Sequence, residues 1–238
     1  MEQAADSSQE RDRPAKRRSK RRVWIEIAIA YGLIMAVVWT PRPWQRMLWV
    51  IAVASVTVIL WRYFDGWKAM GLRATNFLRS LWIVGAAMVL AGVAIAVAAR
   101  MHTLAPQSGV LACVEVYWAY AVWTGVQQFL LQGFFLLRFL RVVPDERLAA
   151  LMAALLFALA HLPNPILAPI TLIWGLAACL LFLRYRNLYP LMIAHAILGI
   201  TVAVTIPGPV VHNMRVGLGY LTYSRHMQAH GMHRLTQP

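Results

Sequence analysis

The chain has 238 residues, 60% of them hydrophobic and only 13% charged, with a mean hydropathy of +0.58, which excludes an ordinary soluble domain. Its net charge of +14 does not imply nucleic acid as a partner, because eight of the 23 Lys and Arg are packed into Arg11–Arg22 beside the first apolar run. Charge placed there fixes membrane orientation. Cys113 and Cys179 both lie inside hydrophobic runs and supply neither a disulfide framework nor a zinc cluster.

In chain order, residues 1–22 carry Ser, Glu, Asp, Pro and a basic run with almost nothing apolar to bury. They are expected to form a disordered cytoplasmic tail attracted to anionic lipid. Val23–Thr40 lacks a clear small-residue cleavage site and is expected to stay as an uncleaved first span. A second span runs from about Trp44 to Trp61, with Trp39, Trp44 and Trp61 as interfacial anchors. A basic, aromatic interfacial segment follows, then a third span over Leu81–Ala99.

The fourth apolar stretch, Gly109–Leu140, would be about 48 Å long as one helix, against a hydrocarbon core of about 30 Å. It must protrude, tilt or break. Further spans are expected over about Leu148–Leu162, Ile166–Leu183 and Leu188–Ile206, each bounded by prolines or charges. The fold expected is an all-α, polytopic transmembrane bundle of about seven spans, with a helical domain over 23–206 and a polar C-terminal tail over 207–238. Lys and Arg are denser on the side of the N-terminus, which is therefore placed in the cytoplasm.

Inside the long fourth stretch, VQQFLLQGFFLLR holds three glutamines. Gln128 and Gln132, four residues apart, share a helix face and are expected to hydrogen-bond each other, while Gln127 turns onto the neighbouring face. Two later spans add one histidine each, His161 in FALAHLPNP and His195 in LMIAHAILG. Polar groups at membrane depth need partners and mark functional sites, so a shared pocket among the fourth, fifth and seventh spans is expected. Depth alone argues otherwise: with Gly109 at the outer face, Gln127 falls about 27 Å along its helix, near the inner face, while His161 closes its span near the outer one.

Other groups are less informative. Glu115 precedes Gln127 by 12 residues, about 18 Å along a helix, and reaches the same site only if the helix breaks. Two histidines fall short of the three protein ligands of a catalytic zinc, so neither metal nor cofactor is expected. His226, His230 and His233 make a stripe interrupted by Gly231, read as part of a solvated tail. The stretch His212–Tyr220 has the composition to fold back over the site and offer Asn213.

The order of these segments, over roughly Trp67–Ile200, resembles the CPBP (ABI) family of intramembrane proteases, which includes the CAAX prenyl proteases and bacteriocin-processing proteins. That family carries EExxxR on one helix, FxxxH on the next, and a later histidine usually followed four residues on by Asn or Asp. Phe157 and His161 match the second motif, His195 matches the last histidine, and Met70-Gly71-Leu72 has a likeness to a preceding GL element. Gln127, Gln128 and Gln132 stand where the family has its acids and arginine, and Gly199 stands at the Asn/Asp position.

The resemblance implies an intramembrane peptidase acting on a membrane-associated protein or peptide, in the bacterial inner membrane, without nucleic acid. In the family a glutamate is thought to activate water while the histidines and the asparagine orient it and stabilise the oxyanion. A glutamine amide takes no proton at ordinary pH. The expected roles are therefore His161 and His195 as water-orienting or oxyanion groups, with His161 also the candidate base, and Gln127 and Gln128 as hydrogen-bonding replacements for the acids. The alternative is a catalytically inactive pseudoprotease that binds a membrane partner.

Overall fold

A computed structural model describes residues 2–62, 64, 66–105 and 110–223, with the backbone alone described for 2–19 and 110–114. Among the described residues every regular element is a helix. In chain order they are α1 Glu2–Trp39, α2 Trp44–Arg62, the short α3 Phe77–Ser80, α4 Trp82–Arg100, α5 Val110–Gln128, a π-helical segment Phe129–Leu136, α6 Leu137–Val142, α7 Glu146–Leu159, α8 Leu167–Tyr185, α9 Tyr189–Thr205 and the single turn α10 Gly208–Val211. Lys20–Trp39, Trp44–Arg62, Phe77–Arg100 and Leu167–Tyr185 are long and apolar enough to cross a membrane, and Tyr189–Thr205 is a shorter apolar helix. The protein is an integral membrane protein.

Three features of the fold concern the ends and the long fourth stretch. The backbone of α1 is helical from Glu2 onward and enters the first span without interruption, where composition predicts a disordered tail over 1–22. The stretch over Gly109–Leu140 neither folds back nor stops; from Val110 to Val142 it is one continuous run whose middle widens into a π-helix. Residues 208–223, assigned to a tail by their polarity, pack back onto the bundle. Cys113 is without a described side chain, Cys179 is buried in α8, and the histidine stripe over 226–233 lies outside the described residues.

Lipid exposure explains why two helices are apolar all round. On α2 only Ala52 is buried, while Val50 is 70% exposed, so nearly the whole helix faces hydrocarbon. α4 likewise turns Met88, Val89 and Val93 outward and buries Ile83, Ala87 and Ala91. Lipid is as apolar as these side chains, so close packing rather than apolarity decides which faces meet.

Small residues make that close packing. Ala149, Ala150, Ala153 and Ala154 of α7 are fully buried, and a Cβ placed on Gly175 of α8 would stand 3.4 Å from Ala154 and 3.2 Å from Phe157. These residues let α7 and α8 approach backbone to backbone. α7 begins cleanly because Asp145 Oδ1 accepts from the N–H groups of Arg147 at 2.7 Å and Leu148 at 3.0 Å, the usual N-cap arrangement. Those bonds, that of Leu148 first, hold the Asp145 carboxyl below its ordinary range.

Two buried asparagines fasten the loops at opposite ends of α8. Asn164 donates to the carbonyls of Val211 (2.9 Å) and Arg215 (3.1 Å) and accepts from the N–H groups of Ile166 and Leu167. It thereby starts α8 and ties the C-terminal segment over the α7–α8 turn, a tie reinforced by Gly217 N–H on the Leu162 carbonyl at 2.8 Å. Asn187 donates to the carbonyls of Arg73 and Thr75 and accepts from Tyr189 N–H. Beside it the Gly71 carbonyl accepts from Leu188 N–H at 2.9 Å. Gly71 has φ +79°, and a Cβ there would run into the Phe182 ring, so both conformation and space require glycine.

Candidate active site

The 14 residues of α7 rise only about 21 Å, short of a hydrocarbon core of about 30 Å, so His161, just past its end, lies less than a core's thickness from Asp145. The residues tied by Asn164 cover the turn that follows. The expectation that Gln127 and His161 lie too far apart in depth is thus overturned: Gln127, His161 and His195 line one cavity of about 850 Å³.

That cavity draws on more helices than the sequence indicates. Besides α5, the end of α7 and α9, its walls include Ile83, Ala87 and Leu90 of α4 and Ile173, Trp174 and Ala177 of α8. Leu90 and Ile173 of that wall are 60% and 72% exposed.

Within it the two imidazoles are held differently. His161 Nδ1 lies 2.7 Å from the Phe157 carbonyl, one helical turn back. A carbonyl only accepts, so Nδ1 carries the proton and Nε2 keeps its lone pair. His195, 6% exposed, has Nδ1 3.1 Å from Gln128 Nε2. The amide nitrogen donates, so His195 Nδ1 accepts and its Nε2 carries the hydrogen. Phe157 contacts both rings, its centroid 4.8 Å from that of His161 and 5.8 Å from that of His195. Trp174 also packs against His195, at 5.8 Å. The pair thus presents one ring nitrogen able to take a proton and one able to donate a hydrogen bond.

The glutamines separate into three environments. Gln127 lines the cavity, Gln128 is buried against His195, and Gln132 is buried away from it. The expected bond between Gln128 and Gln132 does not form. The Gln128 amide nitrogen is engaged by His195, and immediately after Gln128 the helix closes i to i+5, adding a residue to the turn and displacing side chains four apart from the stacking an α-helix gives them. Among the described residues neither amide atom of Gln132 has a hydrogen-bond partner. An unpaired buried polar group costs about 1–3 kcal/mol, so Gln132→Leu should raise thermal stability by that order. A lower melting temperature for Gln132→Leu than for wild type would show that the amide is partnered after all.

Sequence reasoning missed several residues. Asn164, Trp174 and Tyr120 carry no motif signal, though the polar residue between Pro163 and Pro165 at a span's end was a usable cue. Asn213 does line the cavity, with its amide nitrogen 3.4 Å from the Tyr223 hydroxyl. Glu115 is exposed at the start of the described side chains of α5. Gly199 is buried in α9, packed under Tyr120. No group of three or more His, Cys, Asp or Glu suited to a metal ion occurs among the described residues.

Residues 109–201 match the family model described as Rce1-like, type II CAAX prenyl endopeptidase Rce1-like. The match covers the helices that carry Gln127, Gln128, Phe157, His161 and His195. No curated protein matches, and no solved structure matches.

Proposed function

We propose, on the premise of this Rce1-like stretch, that the protein is an intramembrane peptidase that cleaves a membrane-associated protein or peptide with histidine in place of the family's glutamate as base. One observation carries the reading: His161 and His195 line one cavity with complementary tautomers, a lone pair on His161 Nε2 and a hydrogen on His195 Nε2. In the proposed reaction a water molecule gives a proton to His161 Nε2 as its oxygen bonds to the scissile carbonyl carbon. The carbonyl oxygen, now negative, accepts from His195 Nε2–H. Collapse of this intermediate breaks the C–N bond, and the proton on His161 passes to the departing amine. Gln128 holds the tautomer of His195, and Gln127 offers a polar contact to the substrate backbone.

Leu90 and Ile173, apolar and highly exposed on the cavity wall, support a substrate that arrives within the bilayer. The orientation proposed has the N-terminus in the cytoplasm of a bacterial inner membrane. Cysteines placed at Ala105 and Asp145 should then label from opposite sides, the first outside and the second inside; labelling of both from one side removes this topology.

The test of activity is a census of protein termini in membranes from cells carrying wild type, His161→Ala or His195→Ala at matched levels. New termini that appear only with wild type are expected. No difference among three folded, inserted variants would turn the reading to a protein that binds a membrane partner without cleaving it.

A further inference from the structure

We infer that the Tyr120 hydroxyl is a second hydrogen-bond donor of this cavity, seated where a side chain at position 199 would otherwise stand, and this rests on the peptidase reading above. α5 and α9 run antiparallel: Gln128 meets His195, and eight residues earlier on α5 Tyr120 meets Gly199, four residues later on α9. Glycine inside a helix costs about 1 kcal/mol relative to alanine, and Gly199 is not at a positive φ, so conformation does not call for it. Space does. A Cβ on residue 199 would run into the Tyr120 hydroxyl and stand 2.9 Å from two ring carbons.

The phenol thus takes the volume that a larger residue at 199 would fill, and it does so from the facing helix. Tyr120, Gly199, His195, His161 and Gln127 all line the same cavity. Among the described residues the Tyr120 hydroxyl makes no hydrogen bond, and it is not among the buried orphan atoms, so its O–H remains available to a molecule in the cavity. A phenol stays protonated at neutral pH and donates. Gly199 is one turn along α9 from His195, and in this inference the phenol and His195 Nε2–H serve together as donors to a carbonyl oxygen that becomes negative as water adds, the arrangement that stabilises an oxyanion. The phenolic proton stays on Tyr120 throughout; the hydrogen bond strengthens, and no bond to the substrate forms.

The experiment follows the accumulation of histidine-dependent new termini after induction, at matched membrane levels and with melting temperatures recorded, for wild type, Tyr120→Phe, Gly199→Ala and the exchange Tyr120→Ala/Gly199→Asn. Losing one such donor lowers the rate about 10²–10³-fold, so Tyr120→Phe is expected to fall by that order with its melting temperature unchanged. Gly199→Ala should fall too, because its methyl displaces the hydroxyl. The exchange variant, which removes the ring and supplies an amide from α9, should recover at least about tenfold over Tyr120→Phe. A rate for Tyr120→Phe within about twofold of wild type, or an exchange variant no faster than Tyr120→Phe, overturns the donor role and leaves the peptidase reading standing. Absence of histidine-dependent termini in wild type itself overturns both.

Discussion

His161→Ala is expected to lower the rate of product formation about 10²–10⁴-fold, the range general acid–base groups supply, while the protein remains folded and inserted. The argument is one of proton inventory. Gln127 and Gln128 have no basic site, Glu115 is exposed at the far end of α5, and the Nδ1 of His195 is occupied by the Gln128 amide. Among the described residues His161 alone joins a free ring lone pair to a place in the cavity, because the Phe157 carbonyl fixes its other nitrogen as a donor. His195→Ala removes a donor and should cost less, about 10²–10³-fold. If His195→Ala abolishes cleavage while His161→Ala retains most of it, the two roles are exchanged. If both retain it, the chemistry lies elsewhere. The measurement is the initial rate at which new termini accumulate in each variant.

The second large effect is structural. Arg138 is fully buried; its Nε donates to Glu26 Oε2 at 3.1 Å and its guanidinium carbon sits 3.8 Å from the Phe134 ring centroid. Glu26, 7% exposed, also receives Arg22 Nε at 3.2 Å. This ion pair joins α1 to α6 across 112 residues of sequence. Removing one partner of a buried pair leaves the other charge uncompensated at a cost of about 3–5 kcal/mol, whereas replacing both with apolar residues is often neutral. Glu26→Leu should therefore destabilise the protein by about that amount, and Glu26→Leu/Arg138→Leu should recover most of it. Thermal unfolding in lipid nanodiscs checks this. A double variant no more stable than Glu26→Leu would mean that packing around Arg138, rather than its charge, holds α1 in place.

The ion pair shows what kind of information a linear reading carries. Glu26 is the one acid of the first span and Arg138 closes a long apolar run, and the sequence reading singled out neither. Nothing in either neighbourhood says that they meet. The motif residues behave differently: Phe157 and His161 sit one helical turn apart, so their contact is local and the spacing alone predicts it. The opposite case is Gln128 and Gln132, where an ordinary α-helical spacing predicts a bond that the π-helical segment prevents. Local rules hold only while the local geometry is the one assumed.

The sequence by itself determined the membrane setting, the all-helical class and the apolar segments between their proline and charge boundaries. Those are consequences of composition and of short-range geometry, which depend only on neighbours along the chain. Tertiary structure alone decided that His161 shares a cavity with Gln127, that His195 takes Gln128 rather than leaving it to Gln132, that Tyr120 lies over Gly199, and that 208–223 returns to cover the α7–α8 turn. Each depends on how far one helix rises against another and on which small residues permit close approach. Helix-to-helix depth and register are set by packing between segments distant in sequence, so no single segment contains them.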